Sequence, residues 1–225
     1  MTEPQSFAQR TAASIARCDP FWPAQLTVLG TIALSVDLPT SLTIQNVWLI
    51  PAIEGVLLVA LVLTRPRGLA GHHQRRRFAL ALVGLVSASN LVNLSLLVHV
   101  LLHGSTAGHG RELIRAGMEI WITNVLLFTV WYWQLDRGGP MARMEAVLQA
   151  PDFLFQQMTD VRLGGLEWRA GYIDYLYTSF TNATAFSPTD TMPLTPMAKL
   201  LMGIQSGASL LTIGLVLARA VNILA

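Results

Sequence analysis

Apolar stretches of about twenty residues recur along this chain, the length a helix needs to cross about 30 Å of hydrocarbon. They fall at about 22–38, 44–63, 78–102, 118–135 and 198–224. With no water to bond to, a backbone in hydrocarbon must satisfy its own polar groups, so such stretches fold as helices. Charge usage agrees. Asp, Glu, Lys and Arg make up 12% of the chain, against about 25% in globular domains. The expected fold class is all-α: a polytopic membrane helix bundle forming one membrane domain, 22–225, after a polar segment, 1–21. A weaker candidate lies at 166–186, diluted by Glu167, Arg169 and Asp174. Its length, its aromatic residues and an external turn at Asp190 and Pro193 favour its spanning, so about six membrane segments are expected.

Basic residues give the orientation, because cytoplasmic loops are enriched in Lys and Arg. With the N-terminus inside, Arg10, Arg17, Arg65, Arg67, Arg75, Arg76, Arg77, Arg137, Arg143, Arg162 and Arg169 all lie inside. One of Lys199 and Arg219 joins them, whichever way 166–186 runs, giving twelve of the fifteen basic residues. The expected location is the plasma membrane with a cytoplasmic N-terminus. Residues 1–17 have no apolar core beside their charges, so the first span is expected to serve as an uncleaved signal. Cys18 is the single cysteine, which excludes an intrachain disulfide.

The arginines Arg65, Arg67, Arg75, Arg76 and Arg77 form a loop before the third span. They read as a lipid-facing patch whose partners are the bilayer and its anionic headgroups. Trp131-Tyr132-Trp133 reads as an aromatic belt at headgroup level. Residues 136–165 mix Pro, Gly and both charge signs, and an amphipathic surface helix or ordered loop is expected there, on the cytoplasmic side.

Polar residues inside spans are the candidates for function. Glu54 lies midway along the second span, where a carboxylate costs about 2.5–3.5 kcal/mol on insertion scales unless it is paired or protonated. It reads either as a proton or cation site or as a packing residue, in both cases against Asn90, Asn93 or Asn124. Asn90 and Asn93 share a face of the third span, and such residues often join helices. Glu119 sits near enough to the end of the fourth span to be solvated. His99 and His103 have i, i+4 spacing, read as interfacial histidines or a metal pair; no cysteine or HExxH string joins them. No nucleophile elbow, phosphate loop or metal motif occurs, so neither a catalytic residue nor a cofactor is expected, and nothing points to nucleic acid.

The most polar membrane-depth segment is Tyr175-Leu-Tyr-Thr-Ser-Phe-Thr-Asn-Ala-Thr-Ala-Phe-Ser-Pro-Thr-Asp-Thr-Met-Pro-Leu-Thr195. Backbone that leaves helix at that depth must be buried in protein or line water. Pro188 stops a helix at about Phe186 or Ser187. Asn182, Thr184, Ser187, Thr189 and Asp190 are therefore candidates for an ion or polar pathway, together with Glu54, Asn90, Asn93 and Asn124.

Two resemblances follow. The strings Trp131-Tyr-Trp-Gln-Leu-Asp-Arg-Gly-Gly-Pro140, Pro151-Asp-Phe-Leu-Phe155, 182–195 and Ala218-Arg-Ala-Val-Asn-Ile-Leu224 resemble an uncharacterised family of bacterial multi-pass integral membrane proteins, with no established activity to carry over. Locally, 175–225 is similar to the pore module of two-helix potassium-type ion channels: pore helix, Thr-rich segment, Asp190, Pro193, inner helix. That resemblance implies a homo-oligomer around an axis. The segment Ala185-Phe-Ser-Pro-Thr189 has no glycine, however, and a potassium filter needs glycines to aim its carbonyls inward. The function expected is a channel- or transporter-like cation pathway. The alternatives are a non-transporting accessory or scaffold protein, and an intramembrane enzyme resting only on the histidines.

Overall fold

The structure, a computed structural model, describes residues 22–38, 52–56, 58–59, 69–103, 110–144, 150–160, 162, 168–184 and 190–224. It is mostly helical. Helix α1 is Trp22–Asp37, α2 Leu69–His103, α3 Gly110–Leu135, α4 Pro140–Met144, α5 Tyr172–Thr184 and α6 Pro196–Leu224. Residues 52–56 and 58–59 are also helical. A two-stranded antiparallel ladder pairs β1, Phe153–Leu154, with β2, Met192–Pro193. Three helices among the described residues are long and apolar enough to cross a membrane, over Arg76–Leu101, Gly110–Gly138 and Pro196–Val221. They are consistent with a membrane protein.

Helix α3 is the centre. It packs against α1, α2, α5 and α6, and most of its apolar stretch is buried, whereas most of that of α6 is exposed. Small residues let the neighbours approach: Ala116 is fully buried, and a Cβ at Gly117 would collide with the Val216 side chain of α6. Hydroxyls within the apolar helices are satisfied locally. Thr27, Thr31 and Ser35 donate to carbonyls three or four residues earlier at 2.8–2.9 Å, which lets a polar side chain sit in an apolar helix.

Several expectations change. The segment 69–77, read as part of a basic loop, forms the first turns of α2, because Arg and Gln are good helix formers and the helix continues past its apolar stretch. The aromatic triplet 131–133 faces inward in part. Tyr132 and Trp133 are buried in the bundle, Tyr132 against Phe128 and Phe153, and Trp133 against Tyr172. Glu119 is buried, not solvated, because α3 starts two turns earlier than hydropathy suggests; Arg115 Nε lies 3.3 Å from its Oε1. Of the two forms expected for 136–165, the described part takes the ordered loop, with short turns, α4 and β1.

The largest correction concerns 166–186. Helix α5 has only 13 residues, about 20 Å of axial rise, short of the roughly 30 Å of a bilayer core. Its described residues are too few to span alone, and Pro193, paired with Phe153, does not sit in a turn at its opposite end. Instead the chain comes back to the end where α5 began.

Candidate functional site

The turn after α3 is where the chain reverses. Asp136 to Gly138 form a 3₁₀ turn in which Arg137, Gly138 and Gly139 take φ of 51°, 78° and 100°. Only glycine adopts such angles freely, and Arg137 is held there by its N–H donating to Asp152 Oδ2 at 3.0 Å. Asp136 is fully buried and receives three donors. Its Oδ2 accepts from Tyr175 Oη at 2.6 Å, and its Oδ1 from the N–H groups of Asp152 at 2.8 Å and Phe153 at 3.4 Å. Charge-assisted bonds of this kind make a buried carboxylate tolerable. Arg143 closes the C-terminal end of α3, donating to the Trp133 and Asp136 carbonyls at 2.9 and 2.7 Å and lying over the Tyr175 and Trp133 rings. Burial lowers the Arg143 pKa from its ordinary value, and Tyr175 and Asp136 oppose that shift.

From this end α5 runs back alongside α3. Tyr175 meets Asp136; one turn on, Ser179 Oγ donates to the Val125 carbonyl at 2.7 Å, and Phe180 packs edge-on to Trp121. Val125 lies eleven residues before Asp136, roughly 16 Å along the helix. After α5 the chain returns. Thr191 Oγ1 lies 3.1 Å from Thr178 Oγ1, β2 pairs with β1, and Thr195 Oγ1 donates to Asp152 Oδ1 at 2.8 Å. Helix α6 then starts at the same end with Thr195 as its cap, accepting from Ala198 N–H at 3.3 Å, and with Pro196 in the position that suits proline. So α5 enters the bundle and the chain leaves it on one side.

A second cluster holds α5 at depth. Gln205 of α6 is fully buried. Its Nε2 donates to Ser179 Oγ and to the Ser179 carbonyl at 2.7 and 2.9 Å, and its Oε1 accepts from Asn182 Nδ2 at 2.8 Å and from Tyr132 Oη. Asn182 Nδ2 also reaches the Met202 carbonyl at 3.0 Å, and Ser206 Oγ donates to Asn182 Oδ1 at 3.1 Å. One turn further, Asn124 Nδ2 donates to Ser209 Oγ at 2.8 Å. Three helices are thus tied by neutral amides and hydroxyls that satisfy one another, the arrangement that suits a low-dielectric interior.

No family model, curated protein or solved structure matches this chain.

Of the sequence candidates, Asn124 and Asn182 lie in this inner cluster. Thr184 closes α5 by donating to the Thr181 carbonyl at 2.9 Å, and Asp190 is exposed at the return. Asn93 is buried and Asn90 half-buried on α2. Glu54 is fully buried, and neither carboxylate oxygen has a hydrogen-bond partner among the described residues. Its expected pairing with Asn124 is not found, because that face of α3 turns to Ser209. Arg76 is half-buried, its Nη2 3.4 Å from the Gln134 carbonyl, and Arg77 is exposed. Ser187, Thr189, Arg65, Arg67 and the side chain of Arg75 lie outside the described residues. Among the described residues no group of three or more His, Cys, Asp or Glu is placed to hold a metal.

Tyr132, Asp136, Asp152, Tyr175, Ser179, Gln205 and Ser209 are not among the site residues the sequence suggests. The available signal was spacing: Gln205, Ser206 and Ser209 recur at helical intervals inside an apolar helix, as helix-joining polar residues do.

Proposed function

We propose that this is a multi-pass protein of the plasma membrane whose α5–α6 unit borders a cation pathway, completed by further copies around an axis. The observation that supports it is the re-entrant course of α5. A short helix enters from one side, carries Thr178, Ser179, Thr181, Asn182 and Thr184 inward, and the chain returns to begin α6. Helices broken at membrane depth occur where protein or water takes up the freed backbone groups, and such half-helices line ion and substrate sites. The C-terminal end of α5 points inward with its partial negative charge, and Asp190 adds a carboxylate at the return. The order of dipping helix, return, acidic residue, proline and long apolar helix is that of the pore modules the sequence resembles. The excess of basic residues puts the Asp136 end in the cytoplasm, so this loop enters from the cytoplasmic side.

Flux from purified protein in liposomes, across protons and a panel of cations, tests the reading. Cation flux is expected from the wild type, and several-fold less from Asp190→Asn with the fold retained. A monomeric protein with no flux overturns it.

One observation favours a second reading. The inner polar groups are spent on each other, which suits a rigid accessory or scaffold protein that transports nothing. Absence of flux from a folded oligomer would favour that reading.

A further inference from the structure

We infer that Glu119 is a proton-binding site at the end of the bundle opposite Asp136, where it holds a proton between its own carboxyl and that of Asp37. The membrane reading decides only which surface this end faces, and the cation pathway is not involved.

Glu119 is 8% exposed. Helix α3 begins at Gly110, so Glu119 lies beyond the first turn, where free amides would favour a carboxylate. Its Oε2 is shielded from solvent and accepts no hydrogen bond among the described residues. Its Oε1 lies 3.3 Å from Arg115 Nε. Arg115 is shared with α1. Its Nη2 donates to the Asp37 carbonyl at 3.2 Å, and its Nη1 is 3.9 Å from Asp37 Oδ2. The Asp37 carboxyl in turn lies within hydrogen-bond reach of Glu119. Asp37 is the last residue of α1, where the free carbonyls of the helix end add negative charge.

Two carboxyls therefore meet one guanidinium. With both ionised, the group carries a net negative charge beside a shielded oxygen that nothing bonds, and burying such a group is costly. Two carboxylates sharing one site resist ionising together. A hydrogen bond between them also requires a proton, because a carboxylate only accepts. One proton on Glu119 leaves one carboxylate against one guanidinium and supplies the missing donor. A proton needs no cavity, and it reaches Glu119 through Asp37, whose side chain is 65% exposed. Among the described residues, Arg115 and Asp37 are the charged groups that act on Glu119. Leu97 and Val216 flank Gly117, so α2 brings His99 and α6 brings Arg219 toward the same end, while α5 sets Phe180 against Trp121. With the proton bound, α1 is tied to α3 through this bond and through Arg115. Its loss sets two carboxylates against each other and loosens the end of α1. The ligand is a proton from the surface this end faces, the external one by the count of basic residues.

Infrared difference spectra of the purified full chain test this. A protonated carboxyl has a C=O stretch above the amide band, and deuterium oxide shifts it. Near neutral pH the wild type should show this band with one carboxyl more than Glu119→Gln, and the difference should vanish as the pH is raised. Subtraction removes Glu54 and any other acid common to both. Asp37→Asn takes away the neighbouring negative charge and leaves Glu119 to Arg115 alone, so the band should fall severalfold. Asp37 is exposed, so this variant also covers the case in which Glu119→Gln does not fold. Glu112→Gln, exposed in the first turn of α3, should leave the band unchanged. No difference between the wild type and Glu119→Gln, or the same loss in Glu112→Gln, overturns the site. A full band in Asp37→Asn overturns the sharing of the proton with Asp37. The proton is read directly, so a protein without flux would leave the result standing.

Discussion

Helix α5 is held at two places by two kinds of chemistry. At its start, Tyr175 bonds an ionisable group, Asp136, amid arginines, backbone amides and a scrap of β ladder. Four and seven residues further on, about 6 and 10.5 Å along the axis, Ser179 and Asn182 bond only neutral partners: Gln205, Tyr132, Ser206 and backbone carbonyls. The difference follows from solvation. Near a bilayer surface a carboxylate can be stabilised by arginines and water close by. Deeper, an unpaired charge costs several kcal/mol, whereas amides and hydroxyls can close a network without net charge. The outer anchor fixes where the chain turns; the inner anchor fixes how far α5 reaches.

The comparison predicts that the outer anchor is the stronger. Asp136→Ala removes the acceptor for Tyr175 Oη and two backbone N–H groups. Bonds to charged groups are worth about 1.5–3 kcal/mol each, so a loss of about 3–5 kcal/mol is expected, read as a large fall in unfolding free energy in mixed micelles. Gln205→Leu should cost less, about 2–3 kcal/mol, since it strands Asn182, Ser179 and Tyr132 but removes only neutral bonds. If Gln205→Leu proves the more damaging, the assignment of strengths is reversed. Tyr175→Phe, deleting one bond to a carboxylate, should cost about 1.5–2 kcal/mol. Tyr132→Phe, deleting two neutral bonds at depth, should cost about 0.6–1.7 kcal/mol; equal values for the two tyrosines would erase the distinction. The smallest effect on stability belongs to Asp190→Asn. It is exposed and should stay within about 0.5 kcal/mol of the wild type, so any change in flux it causes is not an unfolding effect.

Much of this arrangement was legible in the chain, and the reasons for the rest are physical. Apolar length located α2, α3 and α6, because a continuous apolar run leaves a helix no alternative in hydrocarbon. Hydropathy sets the starts of α2 and α3 too late, since 69–77 and 110–117 extend helices that it cuts short. The stretch 166–186 reads as a span because Tyr172, Tyr175, Tyr177 and Phe180 make it look long and apolar, while the chain's return depends on a partner elsewhere. That partner, β1, is a two-residue strand paired across about forty residues, too short for any period to show. Asp136-Arg-Gly-Gly-Pro140 is readable as a turn, but not that Asp136 is its buried hub. Gln205 was passed over because a single amide in an apolar helix announces no partner until Ser179 and Asn182 are set against it.

The central claim is that α5 enters and the chain returns on one side. Single cysteines at Asp160, Asp190 and Arg111, all exposed, in a Cys18→Ser background, can be labelled in sealed vesicles with a membrane-impermeant maleimide. The account predicts that Asp160→Cys and Asp190→Cys label from the same side, and Arg111→Cys from the other. Labelling of Asp160→Cys and Asp190→Cys from opposite sides would contradict it and restore α5 as a crossing segment.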